Sequence, residues 1–233
     1  MRFVDLGIVT PEYSVCADRV LLSSYLPGSE DTLLVYSRDR PCISAGRFQR
    51  IDEKVDTEFA KKNGISVVRR VSGGSCIYSD RDQITYSLII SKDKLPLPRN
   101  DSFAVICGAA VAALKELGIN GVHKPVNDIL VNGKKISGGA QARNKHAVLQ
   151  HGSIILDVDD GIVMSVLKDG KKRSYGGLTS VRECLGYVPS RDSISKAIVS
   201  GFSKTFGRIA EGELTDREMR GIEMAVSSSC SGR

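Results

Sequence analysis

The sequence predicts a mixed α/β (α+β) fold in which a largely antiparallel sheet is flanked by helices. Strand patterns crowd the first two-thirds of the 233 residues and helical patterns fill the rest. The Asn132-Gly133 dipeptide lies between two β-rich runs, a pattern typical of an antiparallel hairpin. A chain of this length can bury about 70% of its unfolded surface, so we expect a single domain over 1–233.

Short runs of apolar and β-branched residues, bounded by turn residues, predict the strands. The run at 84–90 is almost wholly apolar, as expected of a strand that is buried on both faces. The predicted strands are 32–37, 41–46, 65–68, 84–90, the hairpin arms 129–131 and 134–136, and the runs 147–150 and 153–158 around His151-Gly152.

Helical spacing of apolar residues predicts the helices. The clearest helix begins at Ser102, with Asp101 or Ser102 as its cap, and ends at Gly118. Further helices are predicted at 52–62, 162–167, 193–206 and 215–227. We expect 168–177 to form a mobile loop and 227–233 a frayed tail.

Composition excludes several classes of protein. The chain is 41% hydrophobic and 26% charged, which is too apolar for a disordered protein. It contains no run of about 20 apolar residues and no secretory signal pattern, so we expect a cytoplasmic protein without a membrane partner. Six scattered cysteines without a Cys-x-x-Cys pair predict free thiols, and three histidines outside ligand spacing argue against structural zinc. The net charge of +6 favours an anionic partner.

The first candidate site is the segment 69–80, which begins Arg69-Arg70-Val-Ser-Gly73-Gly74. Consecutive glycines allow the backbone to approach a ligand and to direct its N–H groups at an anion. The two arginines can neutralise a phosphate or a carboxylate. An ordinary surface turn is the competing interpretation of the glycines alone, and no Lys-Ser/Thr follows them as a Walker loop requires.

The second candidate site is the hairpin 127–141. Asn127-Asp128 begins the first arm, and Lys134-Lys135 begins the second, before Ser-Gly138-Gly139. A carboxylate and a lysine can meet across such a hairpin, where the lysine reaches a phosphate or carboxyl group and the aspartate holds Mg²⁺ or a hydroxyl. Lysines that serve only solubility are the alternative, although glycines in a strand indicate close approach by another group.

Two further residues have ordinary structural interpretations. His151 lies among apolar strand residues, where a hydrogen-bonded core histidine is more common than a base. Cys76 lies within the glycine segment but has no base beside it in sequence, so we interpret it as a packing residue.

Together and in this order, the two segments resemble the lipoate-protein ligase family. The segment 69–80 is similar to its Arg-Arg-x-Ser-Gly-Gly-Gly-Ala-Val-Tyr/Phe-His-Asp motif, and 127–141 to its Asn-Asp-Ile/Leu hairpin followed by Gly-Arg/Lys-Lys-Ile-Ser-Gly-x-Ala-Gln. The segment 150–159 resembles its His-Gly-Thr/Ser-Leu-Leu-Leu stretch, and shorter similarities occur at 41–49 and 177–182.

The resemblance implies a fold shared with biotin-protein ligases and octanoyltransferases. It also implies ATP-dependent activation of lipoate to lipoyl-AMP, followed by transfer to a lysine of a carrier protein such as a glycine-cleavage H-like protein or an E2 lipoyl domain. Lys135 matches the essential lysine of the family, and Asp128 is the implied Mg²⁺ ligand. The implied nucleotide- or substrate-binding residues are Arg69, Arg70, Gly73, Gly74, Ser75, Cys76, Ile77, Tyr78, Asn127, Asp128 and Lys135.

The chain also departs from the family pattern. Ser75 replaces a glycine, Cys76 an alanine and Ser79 a histidine. The resemblance further implies that 1–233 corresponds to an archaeal-type large subunit, in which the accessory C-terminal domain is absent and a separate small subunit supplies it.

Three alternatives remain from the sequence. One is an ATP-independent octanoyl- or lipoyl-transferase, which uses a cysteine thioester; such relatives place the cysteine just before the Asn-Asp position or after the His-Gly strand, and neither 123–126 nor 157–168 contains one. The second is a basic, non-enzymatic binding protein, although at 6% aromatic residues a nucleic-acid partner is unexpected. The third is biotin ligation, whose Gly-Arg-Gly-Arg-x-Gly loop is absent.

Overall fold

The computed structural model describes residues 1–168 and 176–230. Strands and helices alternate over the first third of the chain, strands dominate the middle, and helices dominate the end. The strands are β1 (Arg2–Val9), β2 (Thr32–Arg38), β3 (Cys42–Ala45), β4 (Ser66–Arg69), β5 (Ile77–Ser79), β6 (Gln83–Ser91), β7 (Val122–Lys124), β8 (Asp128–Val131), β9 (Lys134–Arg143), β10 (Ala147–Ile155) and β11 (Ala210–Glu211). The helices are α1 (Pro11–Ser24), α2 (Ile51–Lys54), α3 (Thr57–Lys62), α4 (Arg99–Glu116), α5 (Asp160–Val166), α6 (Val181–Leu185), α7 (Arg191–Phe206) and α8 (Asp216–Cys230).

The main sheet has the strand order β11-β1-β2-β6-β10-β9-β8-β7. Strand β1 pairs in parallel with β11 and β2, and all neighbouring pairs from β2 to β7 are antiparallel. The prediction of a mixed, largely antiparallel sheet is therefore confirmed.

Two helical layers cover this sheet, and the alternation of side chains along β2 shows why. Leu33 and Val35 point to the face that packs against α4 and α7. Leu34 and Tyr36 point to the opposite face, which packs against α1 and α8. All seven residues of β2 are buried, as expected of a strand between two apolar layers.

A second, three-stranded sheet of order β4-β3-β5 carries the first candidate site. Its core includes Ile43, Ala45 and Tyr78, which pack with Ala60 of α3 and Val163 of α5. Strand β4 ends at Arg69, so the glycine segment begins directly at the edge of this small sheet.

The hairpin predicted at Asn132-Gly133 is confirmed. Both residues have positive φ, of 50° and 78°, the conformation that a tight type I′ connection requires. Strand β9 continues to Arg143, well beyond the predicted arm. A register shift between Ile129 and Leu130 places Leu130 opposite Lys135 and Asp128 opposite Gly138.

The single helix predicted at 52–62 is wrong, because the chain forms two short helices there. Val55 separates them: it is fully buried and forms a bridge with Leu167. Asp56 then caps α3 by accepting a hydrogen bond from the Phe59 amide, while its own N–H donates to the Val166 carbonyl. Pairing with a distant segment therefore interrupts a locally helical sequence.

Other boundaries also differ from the predictions. Helix α4 begins at Arg99, so Ser102 lies inside it and donates to the Arg99 carbonyl instead of capping the helix. Strand β10 runs unbroken through His151 and Gly152, where two runs were predicted. Helix α8 continues through Cys230, beyond the tail predicted to fray from 227. Most of the predicted mobile loop, 169–175, and the final residues 231–233 lie outside the described residues.

The structure also bears on the membrane-spanning segments and the disulfides that composition argued against. Within residues 1–168 and 176–230, no helix is long and apolar enough to cross a bilayer. The cysteines whose side chains are described, Cys16, Cys42, Cys76, Cys107 and Cys184, are all free thiols.

Candidate active site

A cavity of about 610 Å³ lies where the small sheet meets the main sheet. Both candidate segments from the sequence reach it. Its lining comprises Tyr36, Arg38, Ser44, Lys54, Arg70, Gly74, Ser75, Cys76, Ile77, Tyr78, Gln83, Thr85, Asn127, Asp128, Lys135, Gly138, Gly139, Ala140, His151, Gly152, Ser153, Ile155, Val158, Val163, Leu167 and Leu178.

The glycine segment is built around the buried guanidinium of Arg70. Its Nη2 donates to the carbonyl oxygens of Gly73 at 2.6 Å and Ser75 at 2.7 Å, and Nη1 donates to the Ser44 carbonyl at 2.5 Å. Burial lowers the pKa of Arg70 to about 10. Gly74 has φ +90°, and a Cβ there would lie 2.8 Å from Nη2. Arg70 therefore fixes the backbone of residues 73–75, and the close approach of its guanidinium requires glycine at position 74.

Arg69 does not line the cavity. Its Nη1 donates to the carbonyl oxygens of Gly46 at 3.0 Å, Arg47 at 3.1 Å and Gln49 at 2.8 Å. Among the predicted binding residues, Arg69 and Gly73 are the two that do not line the cavity. Arg69 instead supports the turn at 46–49.

The hairpin brings Lys135 and Asp128 together on the cavity wall. Nζ of Lys135 lies 2.6 Å from Oδ1 of Asp128, and the two side chains are only 20% and 17% exposed. The meeting of a carboxylate and a lysine across the hairpin, expected from the sequence, is present. The lysine is thus presented to a ligand as a fixed ammonium group.

Asn127 joins the start of the hairpin to the glycines of β9. Its Nδ2 donates to the Gly139 carbonyl at 2.5 Å, and the Gly139 N–H donates to the Asn127 carbonyl at 2.9 Å. Gly139 lies opposite Gly152 of β10 in the sheet register. A Cβ at Gly152 would lie 2.4 Å from Oη of Tyr86, in the core that packs against α4 and α7, so packing behind the sheet requires glycine there. Both glycines present backbone to the cavity.

The cavity lining combines charge with an apolar wall. Its described cations are Arg38, Lys54, Arg70 and Lys135, against the single carboxylate of Asp128. The large aliphatic side chains of the lining are Ile77, Ile155, Val158, Val163, Leu167 and Leu178. A ligand that suits these surfaces has an anionic part and an apolar part.

Asp128 was predicted as a Mg²⁺ ligand. Within the described part of the chain, no three His, Cys, Asp or Glu side chains are grouped to hold a metal ion by themselves. A single carboxylate in a cavity lined by cations is nevertheless compatible with Mg²⁺ bound to a phosphate, because Mg²⁺ commonly takes one or two protein carboxylates and completes its shell with phosphate oxygens and water.

Cys76 is the one cysteine among the described lining residues. It is 6% exposed and belongs to the apolar core of the small sheet. Burial raises the pKa of its thiol, which opposes formation of a nucleophilic thiolate. This agrees with the interpretation of Cys76 as a packing residue.

His151 lines the cavity with both ring nitrogens engaged. Nδ1 lies 2.6 Å from Oδ2 of Asp18, and Nε2 lies 2.7 Å from Oγ of Ser72. The predicted hydrogen-bonded core histidine is therefore observed, at the border of the cavity.

Sequence reasoning missed several residues of this cavity. Arg38 is the last residue of β2 and Lys54 the last residue of α2, and both reach the site through long-range folding. Their positive charge was the only local signal. Tyr36 and Thr85 lie in predicted strands, and Gln83 lies one residue before the predicted run 84–90, but a strand pattern does not show which residues border a cavity.

The chain belongs to the family of the lipoyl protein ligase A/B catalytic domain, which matches it over residues 10–203. Among curated relatives, it is 32% identical over 222 residues to lipoate-protein ligase A subunit 1 of Thermoplasma acidophilum, covering 88% of this chain and 84% of that protein. It is 28% identical over 260 residues to octanoyltransferase LipM of Kyrpidia tusciae, covering 97% and 94%. The chain is therefore an enzyme of the lipoate ligase and transferase superfamily.

Solved structures give the same fold. A lipoate-protein ligase A bound with ATP superposes with a TM-score of 0.87 at 27% identity, covering 100% of this chain and 96% of that chain. The bi-partite lipoate protein ligase of Thermoplasma acidophilum, described with its E2 lipoyl domain, gives 0.86 at 27% identity, covering 97% and 91%. Biotin protein ligase of Aquifex aeolicus gives 0.50 at 14% identity, covering 88% and 68%, which shows the fold alone. The expected catalytic-domain fold is confirmed.

Proposed function

We propose that this protein is an ATP-dependent lipoate-protein ligase, which activates lipoate as lipoyl-AMP and transfers the lipoyl group to a carrier lysine. The observation that carries the choice of a ligase is the lack of an activated thiol at the described cavity wall. Cys76 is buried with a raised pKa, and neither 123–126 nor 157–168 contains a cysteine for a thioester.

The shape and charge of the cavity support this substrate pair. The apolar lining suits the alkyl chain and dithiolane of lipoate, and the cations suit a carboxylate and a triphosphate. Asp128 would hold Mg²⁺ together with the phosphates. The bound ATP of one structural neighbour supports nucleotide binding in a cavity of this fold.

The proposed chemistry has two steps. A lipoate carboxylate oxygen attacks the α-phosphorus of ATP, which forms lipoyl-AMP and releases pyrophosphate. The ε-amine of a carrier lysine then attacks the acyl carbon, which forms an amide and releases AMP. Lys135 orients the carboxylate and offsets negative charge as the first bond forms, and the backbone of the glycine segment lies against the adenylate.

The proposed acceptor of the lipoyl group is a carrier protein, chosen from the chemistry of the transfer step and from a similar ligase. The acceptor needs an accessible lysine amine, as in a glycine-cleavage H-like protein or an E2 lipoyl domain. The bi-partite ligase of Thermoplasma acidophilum, described with its E2 lipoyl domain, supports such a carrier and a separate accessory subunit for this chain.

The decisive experiment incubates the purified protein with ATP and lipoate and measures pyrophosphate, with and without a candidate accessory protein. We expect pyrophosphate release that depends on both substrates. A parallel reaction supplies octanoyl-carrier without ATP. Acyl transfer in that reaction, together with no pyrophosphate in the first, would overturn the ligase in favour of an octanoyltransferase, the alternative that the similarity to LipM supports. Steeply salt-dependent binding of RNA without either reaction would favour a basic binding protein.

Lys135→Ala provides the matched residue test. We expect it to lower adenylate formation by about 100- to 1000-fold, because a fixed charge that stabilises the attacking group is lost. Lys134→Ala is the control: its ammonium pairs with Glu183 and its side chain is 43% exposed, outside the cavity lining. Equal pyrophosphate rates in the two variants would remove Lys135 from the mechanism.

A further inference from the structure

A buried chain of hydrogen bonds connects the first helix to the glycine segment. Asp18 of α1 is 1% exposed, and its Oδ2 lies 2.6 Å from Nδ1 of His151 on β10. Nε2 of His151 lies 2.7 Å from Oγ of Ser72, which also accepts from Nε of Arg70 at 3.0 Å. Three segments that are distant in sequence, at residues 18, 151 and 70–72, are therefore linked by consecutive hydrogen bonds.

The donors and acceptors of this chain match at every contact. The Asp18 carboxylate can only accept, so Nδ1 of His151 carries the proton and donates to it. In the neutral imidazole, Nε2 is then the acceptor and receives the Ser72 hydroxyl proton. The Ser72 oxygen in turn accepts from the Arg70 guanidinium. No other neutral tautomer of His151 satisfies both of its contacts.

The arrangement has the connectivity of a serine-histidine-aspartate triad but not its chemistry. Ser72 is fully buried and is absent from the cavity lining, so its oxygen cannot reach a ligand. The accepting nitrogen of His151 is directed at the Ser72 hydroxyl, so any basicity it has is spent on this buried group and not on a ligand. Asp18, His151 and Ser72 are therefore positioned to hold the glycine segment in place and not to react with a ligand.

Ser72 is well placed to fix that loop. Its carbonyl oxygen accepts from the Arg47 N–H at 2.8 Å, while its hydroxyl joins His151 to Arg70. Arg70 then holds the carbonyls of Gly73 and Ser75 on either side of Gly74. A shift of Ser72 would therefore move the guanidinium and the backbone that borders the cavity.

We propose that Asp18, His151 and Ser72 form a buried relay that positions Arg70 and the diglycine loop for ligand binding, with His151 as a positioning residue. The relay makes α1, which lies outside the cavity lining, part of the machinery that shapes the site. Its loss loosens residues 71–76 while the sheets stay folded.

The test uses two relay variants, Ser72→Ala and Asp18→Ala. Ser195→Ala is the control: it removes another buried serine hydroxyl, which donates to Asp5 on the face of the sheet covered by α7. Amide hydrogen exchange is measured in the ligand-free proteins. We expect exchange in 71–76 to rise by about tenfold in the two relay variants and to stay at the wild-type rate in Ser195→Ala. Asp18→Asn keeps an acceptor oxygen and is expected to restore most of the protection. Equal exchange of this segment in all variants would overturn the proposal.

Nitrogen-15 NMR spectra report which ring nitrogen of His151 carries the proton. A purely packing role for these residues would not change this tautomer. The protein has three histidines, and His151→Gln identifies the signal of His151. We expect the Nδ1–H form in the wild type and a redistribution of the proton in Asp18→Ala. A predominant Nε2–H form in the wild type would refute the relay. Neither readout uses a substrate, so the proposed function and the relay can fail separately.

Discussion

Gly138 lies on β9 three residues after Lys135, in the register position opposite Asp128. A Cβ at Gly138 would lie 2.5 Å from Cε and Nζ of Lys135 and 3.1 Å from Oδ1 of Asp128. At 2.5 Å one group must shift, and the end of the flexible lysine side chain moves most easily, so the position of the ammonium depends on the missing side chain. The sequence indicated that something approaches these glycines closely, and the structure shows that at Gly138 it is the protein's own ion pair.

Gly138→Ala is therefore expected to displace the Lys135 ammonium. We predict a loss of about 100-fold in pyrophosphate formation, since misplacement of a reacting group by about 1 Å can cost that much. Urea unfolding of the same variant separates displacement from general loss of structure. Full activity in a folded Gly138→Ala protein would show that the precise place of the lysine is unimportant.

The secondary-structure elements that could be predicted from the sequence are those that local interactions determine. Strand β2, strand β6 and the Asn-Gly hairpin follow from composition and turn chemistry, and the lysine and aspartate could be placed across that hairpin. Helix α1 gave no clear pattern because its buried side includes Glu12, Ser14 and Asp18, which interrupt apolar periodicity. Asp18 is buried there because His151 is its partner, a relation between residues 133 positions apart. The cavity was only partly predictable for the same reason.

The crossing of α4 and α7 offers a test of packing between elements. A Cβ at Gly201 of α7 would lie 2.3 Å from the Ala113 nitrogen and 2.6 Å from its Cα, both in the backbone of α4. We expect Gly201→Ala to lower the free energy of unfolding by about 1–3 kcal/mol, because rigid helices must separate.

Gly108→Ala on α4 is the matched control for Gly201→Ala. Its Cβ would meet no atom within 4 Å, so the substitution should raise stability by about 0.5–1 kcal/mol through helix propensity. Both values come from urea unfolding curves. Equal stabilities would contradict the close approach of the two helices.

At the scale of the whole molecule, charge concerns association more than folding. The net charge of +6 is accompanied by a cavity with four described cations and one carboxylate. Such a field attracts anions, among them the proposed substrates ATP and lipoate, and it also favours a carrier with an acidic surface. Electrostatic attraction of this kind acts mainly on the rate of encounter.

If the carrier is acidic, its modification should depend on salt. We expect kcat/KM for the carrier to fall by about tenfold between about 0.02 M and about 0.5 M salt, because the Debye length shrinks. Pyrophosphate release without carrier, measured over the same range, is the reference reaction. A carrier rate that falls no more than this reference would exclude electrostatic steering of the carrier.

Arg69 and Arg70 are neighbours in sequence, yet they hold two different segments of irregular backbone. Arg69 binds the carbonyls of the turn at 46–49, and Arg70 binds those of the diglycine loop. Each arginine replaces the backbone partners that an irregular segment lacks. This dipeptide therefore links the turn at 46–49 to the diglycine loop. If the diglycine loop moves when a substrate binds, the turn must move with it or several hydrogen bonds must break together.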